Sequence, residues 1–323
     1  MDEKMMGSSL KKALKSLFKK MPYWVKVLLK SDKYKPYLDY YEIGGLPPGH
    51  YSSPIASIYE IKLKEEKIFN VFPETIPGIN LNEEEQLHLL NKFKEYYDTQ
   101  PFEAHKQEGL RYFFENPWFS YSDGIFLHCM LRHTKPRKII EAGSGFSSAV
   151  MLDTNELFFD NAISCTFIDP YPERILSLIR ESDNDKHEII PKRIQDVEFS
   201  KFSDLSTGDI LFIDSSHVSK IDSDLNYILF EILPSLNKGV YIHFHDIIYP
   251  FEYPKEWIYS GAALNEAYVL RAFLQYNTAF KIVLINTFLQ HFYKDKFVND
   301  MPLCMIKAAG QGVGGGSIWI QKI

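Results

Sequence analysis

A short buried strand that runs straight into a glycine turn and then a helix is the feature that most constrains the fold of this chain. Residues 137–141 contain the apolar pair Ile139 and Ile140 and end in an acid, Gly143 and Gly145 follow, and a helix is predicted from about Ser147. Glycines at such a turn let a ligand approach the backbone and let strand and helix pack closely. The pattern predicts a binding turn at the carboxyl end of a strand.

Strands and helices alternate along the chain beyond this turn. The alternation indicates an α/β fold, in which a mostly parallel sheet is covered by helices on both faces. The further strands are predicted at residues 163–168, 188–191, 209–214, 239–245, 280–285 and 317–321.

The first hundred residues lack this alternation. Lysines and leucines at residues 10–21 predict a basic amphipathic helix, and a second helix is predicted from Asn82 to about Tyr97. We therefore predict an N-terminal helical and loop extension over residues 1–100 and one α/β domain over residues 101–323. One interpretation is that the basic helix packs on that domain with its lysines in solvent, because a run of charged residues usually forms a solvated face. The alternative is that residues 10–30 bind a partner or a membrane surface.

Composition excludes several classes of protein. The net charge is −6 at pH 7, whereas a protein that binds nucleic acid usually carries a basic face. Three widely separated cysteines predict reduced thiols, and the sequence pattern predicts neither a signal peptide nor a membrane-spanning run of about 18 apolar residues. We predict a cytoplasmic protein without a membrane span or a nucleic-acid partner; the sequence leaves homo-oligomerisation open.

Acidic residues at neighbouring strand ends predict a nucleoside site. Asp169 follows the second strand, where such folds place a carboxylate that binds both ribose hydroxyls. Gln195 and Asp196 follow the third strand and are either adenine contacts or a plain helix cap. Ser148 replaces the third glycine that a pyrophosphate site needs. The acid Glu141 suits a cofactor with cationic groups instead.

These residues, in this order, resemble the class I S-adenosylmethionine-dependent methyltransferases over roughly residues 110–323. The resemblance implies a Rossmann-like, seven-stranded, mostly parallel sheet whose last strand is antiparallel and lies beside the sixth. Residues 49–54 and 119–123 look like a bacterial subgroup linked to surface-glycan or natural-product tailoring. The residues that the resemblance implies for the cofactor site are Glu141, Gly143, Ser144, Gly145, Ser147, Asp169, Gln195, Asp196 and Asp214.

A second cluster follows the fourth and fifth strands. Asp214 and His217 follow one strand, and His245 and Asp246 end the other. Because carboxyl ends of parallel strands open on a common crevice, these side chains are expected to converge near the methyl donor. Carboxylates with imidazoles make a divalent-metal site, for Mg²⁺ or Mn²⁺ when carboxylates dominate; alternatively the histidines only hydrogen-bond at the crevice rim.

The cluster resembles that of metal-dependent sugar O-methyltransferases. This resemblance implies that His217 is the general base, that Asp214 is a catalytic residue as well as a metal ligand, and that Asp246 is a second ligand. His245 stands where that group has an acid, which shifts the preference towards softer ions than Mg²⁺. The implied reaction is O-methylation of a small-molecule or glycosyl hydroxyl, with Asp214, His245 and Asp246 as the expected metal ligands.

Two other classes of function stay open. The first is an NAD-dependent oxidoreductase of similar fold, against which Ser148 and the antiparallel ending speak. The second is a non-catalytic nucleoside-binding module that recruits partners through the basic helix, which Asp214, His217 and Asp246 disfavour. The identity of the acceptor cannot be read from the sequence, because fold does not determine substrate.

Overall fold

The structure is a computed structural model that describes Leu46 and residues 49–183, 185–307 and 315–323. The chain divides into two compact units, residues 1–64 and residues 65–323. The basic helix predicted at residues 10–21 lies outside the described residues. Within the first unit, the described residues include one helix, α1 (Ile58–Leu63), whose N-terminus is capped by the hydroxyl of Ser57.

The second unit is built on a seven-stranded sheet in the order β3-β2-β1-β4-β5-β7-β6. All neighbouring pairs from β3 to β5 are parallel, and β7 runs antiparallel to both β5 and β6. This confirms the predicted Rossmann-like sheet and the late antiparallel strand inserted beside the sixth. The strands are β1 (Lys138–Ala142), β2 (Ser164–Ile168), β3 (Glu188–Ile190), β4 (Ile210–Ile213), β5 (Tyr241–His245), β6 (Phe280–Ile285) and β7 (Ser317–Lys322).

Helices surround this sheet, and their sequences explain where they lie. Helix α3 (Glu83–Tyr97) buries Leu89, Leu90 and Phe93 along one face. Helix α4 (Tyr121–Thr134) is buried along nearly its whole length between α3 and α5 (Phe146–Phe159). A π-helical segment, Ile228–Ile232, joins α8 (Asp224–Tyr227) to α9 (Leu233–Ser235). The helices of this unit are α2 (Glu65–Phe69), α3 (Glu83–Tyr97), α4 (Tyr121–Thr134), α5 (Phe146–Phe159), α6 (Glu173–Leu176), α7 (Ser200–Ser203), α8 (Asp224–Tyr227), α9 (Leu233–Ser235), α10 (Lys255–Tyr259), α11 (Glu266–Leu274), α12 (Asn286–Phe292) and α13 (Lys294–Asp300).

The central strands are apolar because helices cover both of their faces. All four residues of β4 are buried, as expected for a central parallel strand. The cysteines Cys129, Cys165 and Cys304 are unpaired and buried, in agreement with the prediction of reduced thiols. Among the described residues, no helix combines the length and apolar character that a bilayer crossing requires.

The strand order also fixes where a ligand can bind. The chain passes from β1 outwards to β2 and β3, then returns to the other side of β1 with β4. Connections on the two sides therefore diverge between β1 and β4, which opens a crevice at the carboxyl ends of these strands. The predicted site residues end or follow β1, β2, β3, β4 and β5 at this edge.

Candidate active site

The turn between β1 and α5 is shaped around Gly143. Its φ is +82°, and a Cβ atom there would lie 1.8 Å from the carbonyl oxygen of Asp214. The Gly143 N–H donates to the carbonyl of Ile168, and the Asp214 N–H donates to the carbonyl of Ala142, both at 2.9 Å. The turn is thus fastened to the ends of β2 and β4, and only glycine fits at its centre.

Ser144 connects the turn to Asp169. Its backbone N–H and its hydroxyl both donate to Oδ2 of Asp169, at 3.0 and 2.9 Å. The other oxygen of Asp169 accepts from the N–H of Tyr171 at 2.8 Å. This carboxylate is therefore oriented at the end of β2, on the wall of the same cavity as the glycine turn.

Glu141 lies beneath the turn. Its two carboxyl oxygens accept hydrogen bonds from the hydroxyls of Ser147 and Ser148 at the start of α5. Complete burial raises the pKa of Glu141 to about 8, although these two hydrogen bonds oppose the rise. Glu141 does not line the cavity. Its position braces the turn against α5, whereas the sequence predicts a direct contact with the cofactor.

A cavity of about 760 Å³ opens over the carboxyl ends of β1, β2, β4 and β5. This volume is in the usual range for small-molecule and cofactor sites, roughly 300–1,000 Å³. The predicted site residues on its wall are Gly143, Ser144, Gly145, Ser147, Asp169, Gln195, Asp214, His217, His245 and Asp246.

Gln195 and Asp196 occupy different positions, although they are adjacent in a short 3-10 turn. Gln195 lines the cavity and its amide donates to the carbonyl of Asp222 at 2.8 Å, while its buried Oε1 has no hydrogen-bond partner. Asp196 is exposed, is not on the wall, and pairs with Arg193 at 2.8 Å. Of the two predicted adenine contacts, only Gln195 therefore lies on the cavity wall.

His217 lies among three carboxyl groups. Its Nε2 is 3.5 Å from Oδ1 of Asp214 and 3.7 Å from Oδ2 of Asp246. Its Nδ1 is 2.7 Å from Oε2 of Glu266. His245 completes the cluster, with its Nε2 3.5 Å from Oδ1 of Asp246. The predicted convergence of the two strand ends is thus present in the structure.

The backbone at two of these positions is unusual. His217 and Asp246 have φ values of +58° and +57°, in the left-handed region that residues other than glycine rarely adopt. Such conformations persist when surrounding contacts enforce them, and they concentrate at functional sites. At His217 the enforcing contact is helix α11, because the N–H groups of Asn265 and Glu266 both donate to the His217 carbonyl at 3.2 Å.

The charges of the cluster compensate one another. Burial opposes ionisation of every member, but hydrogen bonds to Asp214 and Glu266 outweigh burial and raise the pKa of His217 to about 11. His245 and His217 overcome the burial of Asp214 and lower its pKa to about 2. The carboxylates Asp214 and Asp246 also raise the pKa of His245 above its ordinary value. The free protein therefore holds the His217 imidazolium beside carboxylates.

Two acids in this region are missing from the sequence prediction. Glu266 is 1% exposed and lies in the first turn of α11. Asp123 on α4 is 4% exposed, and burial first, with the charges of Asp246 and Asp214, raises its pKa to about 7. A Cβ atom at Gly315 would lie 1.6 Å from Oδ2 of Asp123, so the segment before β7 passes directly against this carboxyl. Glu266 stands next to no recognisable motif, whereas Asp123 ends the segment 119–123, to which the resemblance gave no role in the site.

His243 faces the same side of the sheet as His245 but lies deeper. Its ring stacks on Phe212 with centroids 3.9 Å apart and contacts Trp319 at 4.7 Å. Both ring nitrogens are buried without a hydrogen-bond partner, and burial lowers the pKa of His243 well below its ordinary value. A neutral histidine packed among aromatic rings belongs to the core rather than to the site.

The expected metal ligands Asp214, His245 and Asp246 belong to this cluster of imidazoles and carboxylates. The imidazole of His217 lies beside both Asp214 and Asp246, and His245 approaches only Asp246. Among the residues that the structure describes, no group of three or more His, Cys, Asp or Glu side chains is arranged to hold a metal ion. Asp214, His245 and Asp246 thus do not fit a metal as they are positioned here, and no catalytic step below is routed through one.

Comparison with known proteins identifies the class. Residues 140–247, from β1 to just beyond β5, match a family described as "Methyltransferase domain". An uncharacterised protein of Archaeoglobus fulgidus is 36% identical over 172 residues, which is 51% of this chain and 76% of that protein. With its strand order, glycine turn and Asp169, the chain belongs to the class I S-adenosylmethionine-dependent methyltransferases.

Solved structures resemble the chain at low sequence identity. The O-methyltransferase TomG of Streptomyces achromogenes, in complex with SAM, has 12% identity and a TM-score of 0.41, with 81% of this chain and 96% of that chain covered. An O-methyltransferase from Bacillus cereus, in complex with SAH, has 12% identity and a TM-score of 0.40, with 83% and 100% covered. Values of this size do not bear on the substrate.

Proposed function

We propose that this protein transfers the methyl group of adenosylmethionine to a hydroxyl of a small-molecule or glycosyl acceptor, with His217 as the general base. The observation that carries the proposal is the contact of His217 with Glu266 on one ring nitrogen, while the other faces the cavity wall beside Asp214 and Asp246. A base held in one orientation next to a cofactor turn suits proton abstraction from a bound acceptor.

We assign the cofactor to the wall between the glycine turn and β3. The backbone of residues 143–145 and Ser147 lies under the amino-acid part, Asp169 binds the ribose hydroxyls, and Gln195 contacts the adenine. Asp214 faces the sulfonium, which its negative charge stabilises. Glu141 supports the cofactor site indirectly, through the hydroxyls of Ser147 and Ser148. Asp196 does so through Arg193. The chemistry lies within the predicted domain over residues 101–323.

The proposed step is a proton abstraction coupled to a displacement. His217 Nε2 accepts the proton of the acceptor hydroxyl while the oxygen attacks the methyl carbon. The carbon–sulfur bond breaks and its electron pair returns to sulfur, so that the products are a methyl ether, S-adenosylhomocysteine and a protonated imidazole. Most of the rate acceleration is expected from holding two reactants in line, an effect that can lower a barrier by about 7–11 kcal/mol.

The protonation state of His217 sets the main requirement of this step. In the free protein its pKa is raised to about 11, so the ring must lose a proton before it acts as a base. The sulfonium of the donor is a cation, and its charge beside Asp214 opposes protonation of the imidazole. Cofactor binding therefore lowers the pKa of His217 and prepares the base.

Binding and turnover experiments test the proposal. Isothermal titration with adenosylmethionine is expected to give a 1:1 complex, whereas NAD gives no heat; the reverse result would favour an oxidoreductase. Turnover is then measured with methyl-labelled adenosylmethionine and a panel of hydroxylated glycosides and phenols, and the methylated atom is identified by NMR. Methyl groups found only on nitrogen, or cofactor binding without transfer to any acceptor class, would contradict O-methylation.

A further inference from the structure

Arg174 and Trp118 form a bridge across the glycine turn. The guanidinium carbon of Arg174 lies 4.5 Å from the centre of the Trp118 ring. A Cβ atom at Gly145 would lie 2.6 Å from Cδ of Arg174, so the arginine stem crosses the turn where Gly145 has no side chain. Both residues line the cavity. The bridge joins the segment before α4 to the helix after β2, above the turn.

The tryptophan side of this bridge is held firmly. Asn116 is 2% exposed, and its Oδ1 accepts from the N–H groups of Trp118 and Phe119 at 3.1 and 2.8 Å. Its amide donates to the carbonyls of Phe113 and Phe119, both at 2.7 Å. One buried side chain therefore fixes the backbone that presents the Trp118 ring to the cavity, although that ring is 59% exposed.

The charge on Arg174 is available for a ligand. Three cationic side chains other than histidine line the cavity: Arg174, Arg193 and Lys220. Arg193 is already neutralised by Asp196 and Asp222, each at 2.8 Å. Within the part of the chain that the structure describes, Arg174 forms no ion pair within 4 Å, and its guanidinium lies over the Trp118 ring. An arginine that lines the cavity beside the glycine turn and forms no ion pair points to an anionic group on the ligand.

We propose that Arg174, supported by Trp118, binds the carboxylate of the methyl donor and makes the site selective for cofactors that carry it. This inference rests on the proposed function. In the proposed binding mode, the ribose lies at Asp169 and the methyl group lies near His217. The amino-acid end of adenosylmethionine then lies above the glycine turn, next to the aliphatic part of the Arg174 side chain. That end carries the only carboxylate of the molecule.

The choice of side chain fits this role. A guanidinium offers a planar fork of N–H donors that matches both oxygens of a carboxylate, and stacking on an indole ring restricts its orientation. Because fewer rotamers are lost on binding, such an arginine discriminates better than a flexible lysine. Trp118 is therefore a positioning residue and Arg174 a specificity-determining residue.

The experiment compares adenosylmethionine with its decarboxylated analogue, which lacks only the carboxylate, by isothermal titration with the full chain. We expect the wild-type protein to bind adenosylmethionine roughly tenfold more tightly, as a charge-assisted hydrogen bond allows. Arg174→Met should weaken adenosylmethionine binding by about the same factor and leave the analogue unchanged. Lys192→Met removes an exposed cation that is not on the cavity wall and should change neither affinity.

Further variants separate this role from a structural one. Trp118→Phe should retain the preference, and Trp118→Ala should reduce it. Arg174→Lys should keep part of the preference for adenosylmethionine over the analogue. If Arg174→Met shows no cooperative melting transition and so does not fold, the lysine variant tests the inference in its place. Equal affinity of the wild type for both ligands, or a preference abolished by Lys220→Met instead, would overturn the inference alone. Failure to bind either ligand would overturn the proposed function as well.

Discussion

Nδ1 of His217 lies 2.7 Å from Oε2 of Glu266, and that carboxyl group is almost completely buried. The two residues are 49 positions apart in the chain, and they meet because the first turn of α11 caps the His217 carbonyl. A carboxylate on Nδ1 fixes the tautomer of the ring and leaves Nε2 to exchange a proton. The pair has the arrangement of a base and the group that orients it.

Substitutions of this pair should separate chemistry from cofactor binding. We expect His217→Ala to lower kcat by about 10²–10⁴-fold, the usual contribution of a general base. Glu266→Gln keeps the size of the side chain but removes its charge, and should lower kcat by roughly tenfold. Titration with adenosylmethionine should give dissociation constants close to that of the wild type for both variants.

His105 offers a control, since it is exposed on a loop away from the cavity wall. His105→Ala should leave turnover unchanged. If His217→Ala also retained full turnover, His217 would have no part in proton transfer.

The pH dependence follows from the pKa of His217. Burial lowers this pKa, but hydrogen bonds to Asp214 and Glu266 raise it to about 11. The ring is thus protonated near neutrality. As long as the pH is below this pKa, the neutral fraction of the ring increases about tenfold for each unit by which the pH rises. We expect kcat/KM to rise with pH, and kcat to level off at lower pH, because the sulfonium opposes protonation in the complex.

The Glu266→Gln variant checks the cause of this profile. It removes one of the carboxylates that raise the pKa of His217, so the rise in kcat/KM should move to lower pH. Initial rates between about pH 6 and pH 10 would show it. A profile that is flat, or that falls as pH increases, would be incompatible with a neutral imidazole base.

Much of the fold and of the site could be predicted because the signals are local. A buried strand, Gly143 and a following helix specify the turn by their order alone. Asp169, Asp214 and His245 follow or end their strands, so parallel pairing brings them to the same edge without further information. The antiparallel last strand followed from the resemblance to a family, and the strand pairing confirms it.

The remaining site residues depend on packing that no local pattern records. Glu266 and Arg174 lie on helices whose approach to the cavity is set by contacts far along the chain. Asn116, which fixes the Trp118 turn, carries an ordinary turn signal with no link to the site. Adjacent residues can also separate, as Gln195 and Asp196 do, because successive side chains of a tight turn point in different directions.

The glycine turn provides a test of fold and cofactor binding together. Gly143→Ala places a Cβ atom 1.8 Å from a backbone oxygen at a φ of +82°. Gly109 has a similar φ of +87° with no atom within 4 Å of its ideal Cβ. Gly109→Ala should therefore cost about 1–2 kcal/mol from backbone conformation alone, and Gly143→Ala clearly more.

Urea unfolding would measure the two costs, and titration would show whether Gly143→Ala loses adenosylmethionine. Equal free energies of unfolding for both variants would mean that the turn tolerates a side chain by moving away from β4.

Chelation tests the predicted metal ligands. In the free protein the raised pKa of His217, about 11, already places a positive charge beside Asp214 and Asp246, and no group of three or more described His, Cys, Asp or Glu side chains is arranged to hold a metal ion. We expect turnover to be unchanged after dialysis against EDTA and after addition of Mg²⁺ or Mn²⁺. Activity that is lost on chelation and restored by one of these ions would instead support Asp214, His245 and Asp246 as ligands.

The placement of β7 between β5 and β6 has a consequence for synthesis on the ribosome. Residues 280–285 leave the exit tunnel well before residues 317–322, yet they have no edge to pair with until the later segment arrives. Until residues 317–322 have been synthesised, the β6 segment therefore stays unpaired and β5 forms an exposed edge of the sheet. Completion of the sheet, and with it the packing of Gly315 against Asp123, is a late event that a pause or cut just before Ser317 would prevent.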